Sequence, residues 1–100
     1  MTDLSAIRPD RTLDTVGLLC PVPIIKTAKL VKEMAPGQVV LVLADDWGVQ
    51  VDMPAWCKMS HNELLGIVEE GELLKAYVRK APGDGPQAGG AGSSAGSSAG

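Results

Sequence analysis

A two-layer α/β sandwich, with two helices on one face of a four-stranded mixed sheet in the order βαβαββ, is the fold this sequence predicts. Three observations point to it. Two stretches repeat their apolar residues with helical period, and each has only one apolar face. The segments between and after them read as strands, the last one polar on one side. Helices with a single apolar face bury it against a sheet, and a half-polar strand leaves the other face of that sheet uncovered. Helical crossovers favour a parallel strand pair, and a terminal hairpin adds an antiparallel one.

Residues 1–11 are polar and unpatterned, a flexible lead-in. Leu13 to Leu18 is the first strand, with β-branched Val16 inside it and Gly17 near its end. A helix opens abruptly at Cys20-Pro21-Val22-Pro23, where proline is tolerated because first-turn N–H groups have no intrahelical partner. At about 100° per residue, Ile24, Ala28, Val31, Met34 and Ala35 share one arc, opposite Lys26, Lys29, Lys32 and Glu33. Pro36-Gly37 stops it.

Gln38 to Ala44 is apolar on both faces and therefore central in the sheet. The loop Asp45-Asp46-Trp47-Gly48 follows, and Asp52 with Pro54 reads as the start of a second helix that runs to about Leu65. From Ile67 the pattern is that of strands, with a hairpin turn at Glu69-Glu70-Gly71-Glu72. Beyond the turn Leu74, Ala76 and Val78 alternate with Lys75, Tyr77 and Arg79.

The chain has 100 residues, but 82–100 contain only Gly, Ser, Ala, two Pro, Asp84 and Gln87. Such a tail buries too little surface to repay the entropy of ordering, and it is expected to be disordered. The domain is thus 12–81, with one modest core and no space for a separate cofactor domain. Nine basic against twelve acidic residues give a net charge of −3, which disfavours direct nucleic-acid binding. The longest apolar run, Val39 to Ala44, is too short to span a membrane, and Met1-Thr2-Asp3-Leu4 does not resemble a signal peptide. A cytoplasmic protein with two free thiols is expected.

Cys20 lies where a strand gives way to a helix. Unpaired N–H groups and the positive end of the helix dipole favour an anion there. A thiolate so placed can have its pKa lowered from about 8.5 to roughly 3.5–7.5. A persulfide, being more acidic, would be held by the same amides. The competing reading is a small buried residue at a strand end.

The residues Leu13-Asp14-x-x-Gly17-Leu18-x-Cys20-Pro21-x-Pro23 resemble the signature of the TusA/SirA family of small sulfur-carrier proteins. The resemblance continues through Pro36-Gly37, Ala44-Asp45-Asp46, Asp52-Met53-Pro54, Cys57 and His61-x-Glu63-Leu64, and closes at Tyr77-Val78-Arg79-Lys80. It implies the βαβαββ sandwich already read from the pattern. It also implies a sulfurtransferase that accepts sulfane sulfur as a persulfide on Cys20 and hands it to a partner's cysteine. Pro21 and Pro23 support the helix start beside it. The implied partners are a sulfur donor, such as a cysteine desulfurase or a rhodanese-like protein, and a sulfur acceptor. The implied pathways are tRNA 2-thiolation and sulfur trafficking in sulfur-compound oxidation.

No catalytic triad or cofactor motif is visible, and His61 is the sole histidine. Docking is expected on the first helix, where Val22 and Ile25 fall beside Lys26 and Lys29 close to Cys20, a patch suited to acidic partners. An ordinary solvated helix face explains the lysines equally well. Asp45 and Asp46 are read as a polar loop ahead of any direct role, although carboxylates near Cys20 would oppose its ionisation.

Cys57 falls on the sheet-facing side of the second helix, more a core residue than a second working thiol. Cys57, His61 and Cys20 make too few ligands for a zinc site, so no metal or other cofactor is expected. Trp56 reads as a core-edge aromatic and Trp47 as a loop residue. A monomer is expected. The rival functions are a dithiol redox module using Cys20 and Cys57, and a binding module without chemistry.

Overall fold

The computed structural model describes residues 4–81. The expected disordered tail, 82–100, lies outside the described residues, as do 1–3. A single 3-10 turn at Leu4–Ala6 leads into β1 (Arg11–Asp14), α1 (Val22–Glu33), β2 (Val39–Ala44), α2 (Val49–Ser60), β3 (Glu63–Glu70) and β4 (Leu73–Arg79). The four strands form one sheet in the order β1-β2-β4-β3. β1 runs parallel to β2, while β2–β4 and β3–β4 are antiparallel, so the sheet is mixed as the pattern predicts.

Alternation along the two central strands decides which side is the core. Val40, Val42 and Ala44 of β2 and Leu74, Ala76 and Val78 of β4 are buried together with residues from both helices. α1 contributes Ile24, Val31 and Met34 to that cluster, and α2 contributes Val49, Met53 and Cys57. Thr27, the one polar residue of α1 in this interior, spends its hydroxyl on the carbonyl of Pro23 at 2.8 Å. A buried hydroxyl that makes this bond avoids most of its desolvation penalty.

The other sheet face is not bare. Val39 and Tyr77 are buried there without belonging to the helix-side cluster. The lead-in contributes to this cover: Leu4 lies over Gly66, where a Cβ would come within 2.5 Å of Leu4 Cδ1. Asp10 extends the tie, since its backbone N–H donates to the Val39 carbonyl and its carboxylate accepts the Val39 N–H, each at 2.8 Å. The segment expected to be a flexible lead-in thus includes an anchored 3-10 turn.

Several element boundaries differ from expectation. The first strand ends at Asp14 instead of Leu18, because Gly17 takes a positive φ of 88° and the chain turns toward β2's end. The second helix begins at Val49, with Gly48 as its N-cap, so Asp52 lies inside the first turn rather than capping it. It stops at Ser60 because His61 adopts the left-handed conformation at φ 65°. Leu64 and Leu65 consequently belong to β3, which starts at Glu63 instead of Ile67. At the far end of α1, Lys80 places its ammonium 2.5 Å from the Met34 carbonyl, a cation at the negative end of the helix.

Candidate functional site

Parallel pairing of β1 and β2 brings their C-terminal ends to one edge of the sheet. The chain leaving β1 stays tied to that edge. Thr15 is fully buried and bonds the Leu43 carbonyl twice, from its N–H at 2.8 Å and its hydroxyl at 2.6 Å. Gly17 N–H then donates to Asp45 Oδ1 at 2.9 Å, and Cys20 N–H donates to Asp46 Oδ2 at 2.6 Å. The two carboxylates read as a polar loop are thus the posts that hold the cysteine-bearing turn. Asp46 also accepts the Gly48 N–H at 3.3 Å. These two amides, Cys20's first, hold the Asp46 carboxyl below its ordinary value.

Cys20 itself is half-buried at the margin of the core. Its peptide bond to Pro21 is cis, Pro21 is the N-cap of α1 and Pro23, fully buried, occupies the first turn. The expected amide cradle at the start of α1 is thinned. Neither proline has an N–H, and the Val22 N–H donates to the Leu19 carbonyl at 2.9 Å. The sulfur lies instead against the start of α2: a Cβ built on Gly48 would sit 3.4 Å from Cys20 Sγ and 3.5 Å from Asp46 Oδ2. Gly48 has ordinary helical angles, φ −58° and ψ −23°, so its missing side chain matters for space and not for conformation.

The electrostatics reverse the sequence-based expectation for the thiol. Burial pushes the Cys20 pKa up, the charge of Asp46 adds to it, and hydrogen bonding to and the charge of Asp52 add more, to about 11. A thiol beside two carboxylates remains protonated where one facing open helix amides would ionise.

Exposed apolar side chains lie on the segments that carry and adjoin Cys20. Val22 and Ile25 are exposed on α1, as expected, with Lys26 and Lys29 exposed on the same helix. Leu19 at 73 % exposure, Trp47 at 60 % and Val51 at 72 % stand out on neighbouring segments, with Val16 beside Gly17. Large apolar side chains left this open on three segments of one edge suit a partner's surface. Sequence reasoning singled out only the α1 members. Trp47 reads from the sequence as a loop residue, and its exposure is not marked in the pattern.

Cys57 is buried in the core at 3 % exposure, and burial pushes its thiol up to about 11. His61 is exposed at the end of α2. Among the described residues no group of three or more His, Cys, Asp or Glu could hold a metal ion. Trp56 is half-buried at the core margin. Replacing Cys57 by serine puts a hydroxyl in an apolar interior, at a cost of about 1–3 kcal/mol. The expected outcome of Cys57→Ser is therefore a lower melting temperature in a thermal melt.

Comparison with known proteins adds the family. Residues 11–80 match the family model described as "Sulfurtransferase TusA". A Bacillus subtilis protein named "Putative sulfur carrier protein YrkI" is 39 % identical over 74 residues, covering 74 % of this chain and 99 % of that one. A second from B. subtilis, "Putative sulfur carrier protein YrkF", is 44 % identical over 68 residues, 68 % of this chain but only 37 % of its own. A "Putative sulfur carrier protein" of Aquifex aeolicus is 40 % identical over 75 residues, 75 % of this chain and 38 % of the relative. The crystal structure of a SirA-like protein from Desulfitobacterium hafniense has the same fold, at a TM-score of 0.64 and 20 % identity. That likeness covers 71 % of this chain and 97 % of the other.

Proposed function

Because this chain belongs to the TusA family of sulfur carriers, we propose that it accepts sulfane sulfur as a persulfide on Cys20 and relays it to a cysteine of a partner protein. One observation carries the choice of residue. Of the two thiols, Cys20 is the half-exposed one, on a turn fixed by Asp45 and Asp46 and bordered by exposed apolar side chains, whereas Cys57 is sealed in the core.

The transfer is redox-neutral. The Cys20 sulfur attacks the outer sulfur of the donor's persulfide, the donor's S–S bond breaks, and the donor's cysteine leaves as a thiolate. That thiolate takes up a proton equivalent to the one Cys20 gave up, so a thiol and a persulfide have exchanged places. Delivery repeats the step with the acceptor's thiolate attacking the outer sulfur on Cys20.

In this reading the protein is a sulfurtransferase that acts only with partners, in the cytoplasm, as a monomer and without a cofactor. A cysteine desulfurase or a rhodanese-like protein supplies the sulfur. The acceptor serves tRNA 2-thiolation or sulfur-compound oxidation. Val22 and Ile25, with Lys26 and Lys29 beside them, form the part of the docking surface suited to an acidic partner.

The test is intact-mass measurement after incubation with a cysteine desulfurase and cysteine, with peptide mapping. Added sulfur on Cys20 alone is the expected result. A mass lower by two hydrogens, with Cys20 linked to Cys57, would move the protein to the dithiol redox class.

A further inference from the structure

The start of α2 faces the carrier sulfur with negative charge, which is an unusual way to build a nucleophile. Cys20 Sγ and Asp46 Oδ2 both border the space beside Gly48, where a Cβ would lie 3.4 Å from the one and 3.5 Å from the other, and Asp46 is fixed there by the N–H groups of Cys20 and Gly48. Asp52 lies one helical turn beyond Gly48, its N–H donating to the Gly48 carbonyl at 2.9 Å, so it shares the helix face that meets the sulfur. Its charge and hydrogen bonding push the Cys20 thiol up, behind burial and the charge of Asp46.

The remaining charged groups at this edge are turned to other tasks. Asp14 accepts the Val16 N–H at 2.9 Å and Asp45 the Gly17 N–H. Lys26 and Lys29 are exposed on the outer face of α1. Among the described residues, Asp46 and Asp52 are therefore the charges that bear on the sulfur.

We propose that Asp46 and Asp52 are positioning residues that hold unloaded Cys20 as a thiol, so that the free carrier is a poor nucleophile and docking of a donor that brings positive charge to the pair releases it. This rests on the carrier reading above and adds the condition under which the carrier reacts. The pair leaves the transfer step itself unchanged: Cys20–SH and the donor's S–SH become Cys20–S–SH and the donor's SH. It controls only how often the attacking sulfur is ionised. The raised pKa of about 11 agrees with that geometry. The outer sulfur of a loaded Cys20 is one bond farther from the carboxylates, and a persulfide is more acidic than a thiol. The lock consequently bears on the empty carrier more than on the loaded one.

The experiment compares two reactions of Cys20 in the full chain: alkylation by iodoacetamide as a function of pH, and sulfur loading from a cysteine desulfurase. Asp52→Asn removes one charge and keeps the side chain's shape, without touching the turn that Asp46 holds. Removing a charge this close lowers a thiol pKa by about one unit or more. Thiolate then rises tenfold while its intrinsic nucleophilicity falls about threefold, so alkylation at pH 8 gains roughly threefold or more. The pH profile shifts down, and Asp52→Glu restores the slow reaction.

Loading from the desulfurase is expected to gain less than alkylation does, because docking has already offset the pair. An alkylation rate and pH profile unchanged in Asp52→Asn would overturn the proposal while leaving the carrier reading intact. So would a gain in loading equal to the gain in alkylation, which would mean that docking relieves nothing. Absence of loading in the wild-type chain, with alkylation still responsive to Asp52→Asn, would instead remove the carrier reading.

Discussion

Replacing Cys20 by serine is expected to abolish sulfur loading and to leave the fold standing. The two halves of this result have separate causes. Serine offers no sulfur to form an S–S bond, and a hydroxyl is not ionised near neutral pH, so loading should fall below detection. The fold survives because the contacts that fix the turn are not made by the Cys20 side chain. The bond to Asp46 comes from the backbone N–H of residue 20, and the neighbouring ties come from Thr15 and Gly17. Cys20 lies at the margin of the core and not within it, so losing its sulfur removes little buried surface. Stability changes within about 0.5 kcal/mol are usual for such positions. The measurement is intact mass after desulfurase treatment, run beside a thermal melt of the same sample. Sulfur still bound covalently to a well-folded Cys20→Ser chain would show that another residue carries it.

The fold was legible in this sequence because both of its periods are strong. α1 shows a clear apolar arc, and β2 is apolar on both faces, as befits a strand with neighbours on each side. Boundaries were harder where backbone conformation overrides pattern. His61 ends α2 in a left-handed turn although the apolar spacing runs on through Leu64 and Leu65. Gly17 turns the chain after only four residues of β1.

The candidate site divides in the same way. Cys20 and its two prolines announce themselves by type and order, but the surroundings of the sulfur come from a different part of the chain. Asp46, Gly48 and Asp52 reach Cys20 only because β1 and β2 are parallel and α2 starts at the shared edge. A local reading of Cys20-Pro21-Val22-Pro23 assigns the sulfur to the dipole of its own helix and expects a low pKa. The parallel pairing places Asp46 and the first turn of α2 beside it and reverses the sign. Two features of the sequence oppose a low pKa: the consecutive Asp45 and Asp46 after the central strand, whose charge works against a thiolate near Cys20, and the two prolines, which cannot donate hydrogen bonds.

That dependence on α2 leads to the second large effect. Met53 is the residue after Asp52 and is fully buried, packed in the cluster with Val49, Cys57 and the inner faces of β2 and β4. Shortening it in Met53→Ala leaves a cavity that the sheet behind it, held by ladders on both sides of β4, can close only in part. The expected cost is about 2–5 kcal/mol. In a domain of this size each 1 kcal/mol lowers the melting temperature by about 4–8 °C, so a fall of roughly 10 °C or more should be seen. Chemical denaturation should show a lower midpoint with an unchanged slope, since the surface exposed on unfolding is nearly the same. Well below the melting temperature the variant should still load sulfur, because Met53 faces the core and not the sulfur. Its alkylation rate at Cys20 is the more telling readout. If α2 owes its seat to this side chain, loosening it lets Asp52 move relative to the sulfur, and the rate should shift toward that of Asp52→Asn. A destabilisation below about 1 kcal/mol would show that α2 is held by its other contacts, and the charge placed beside Cys20 would then have to be fixed by the turn at Asp46 and Gly48 alone.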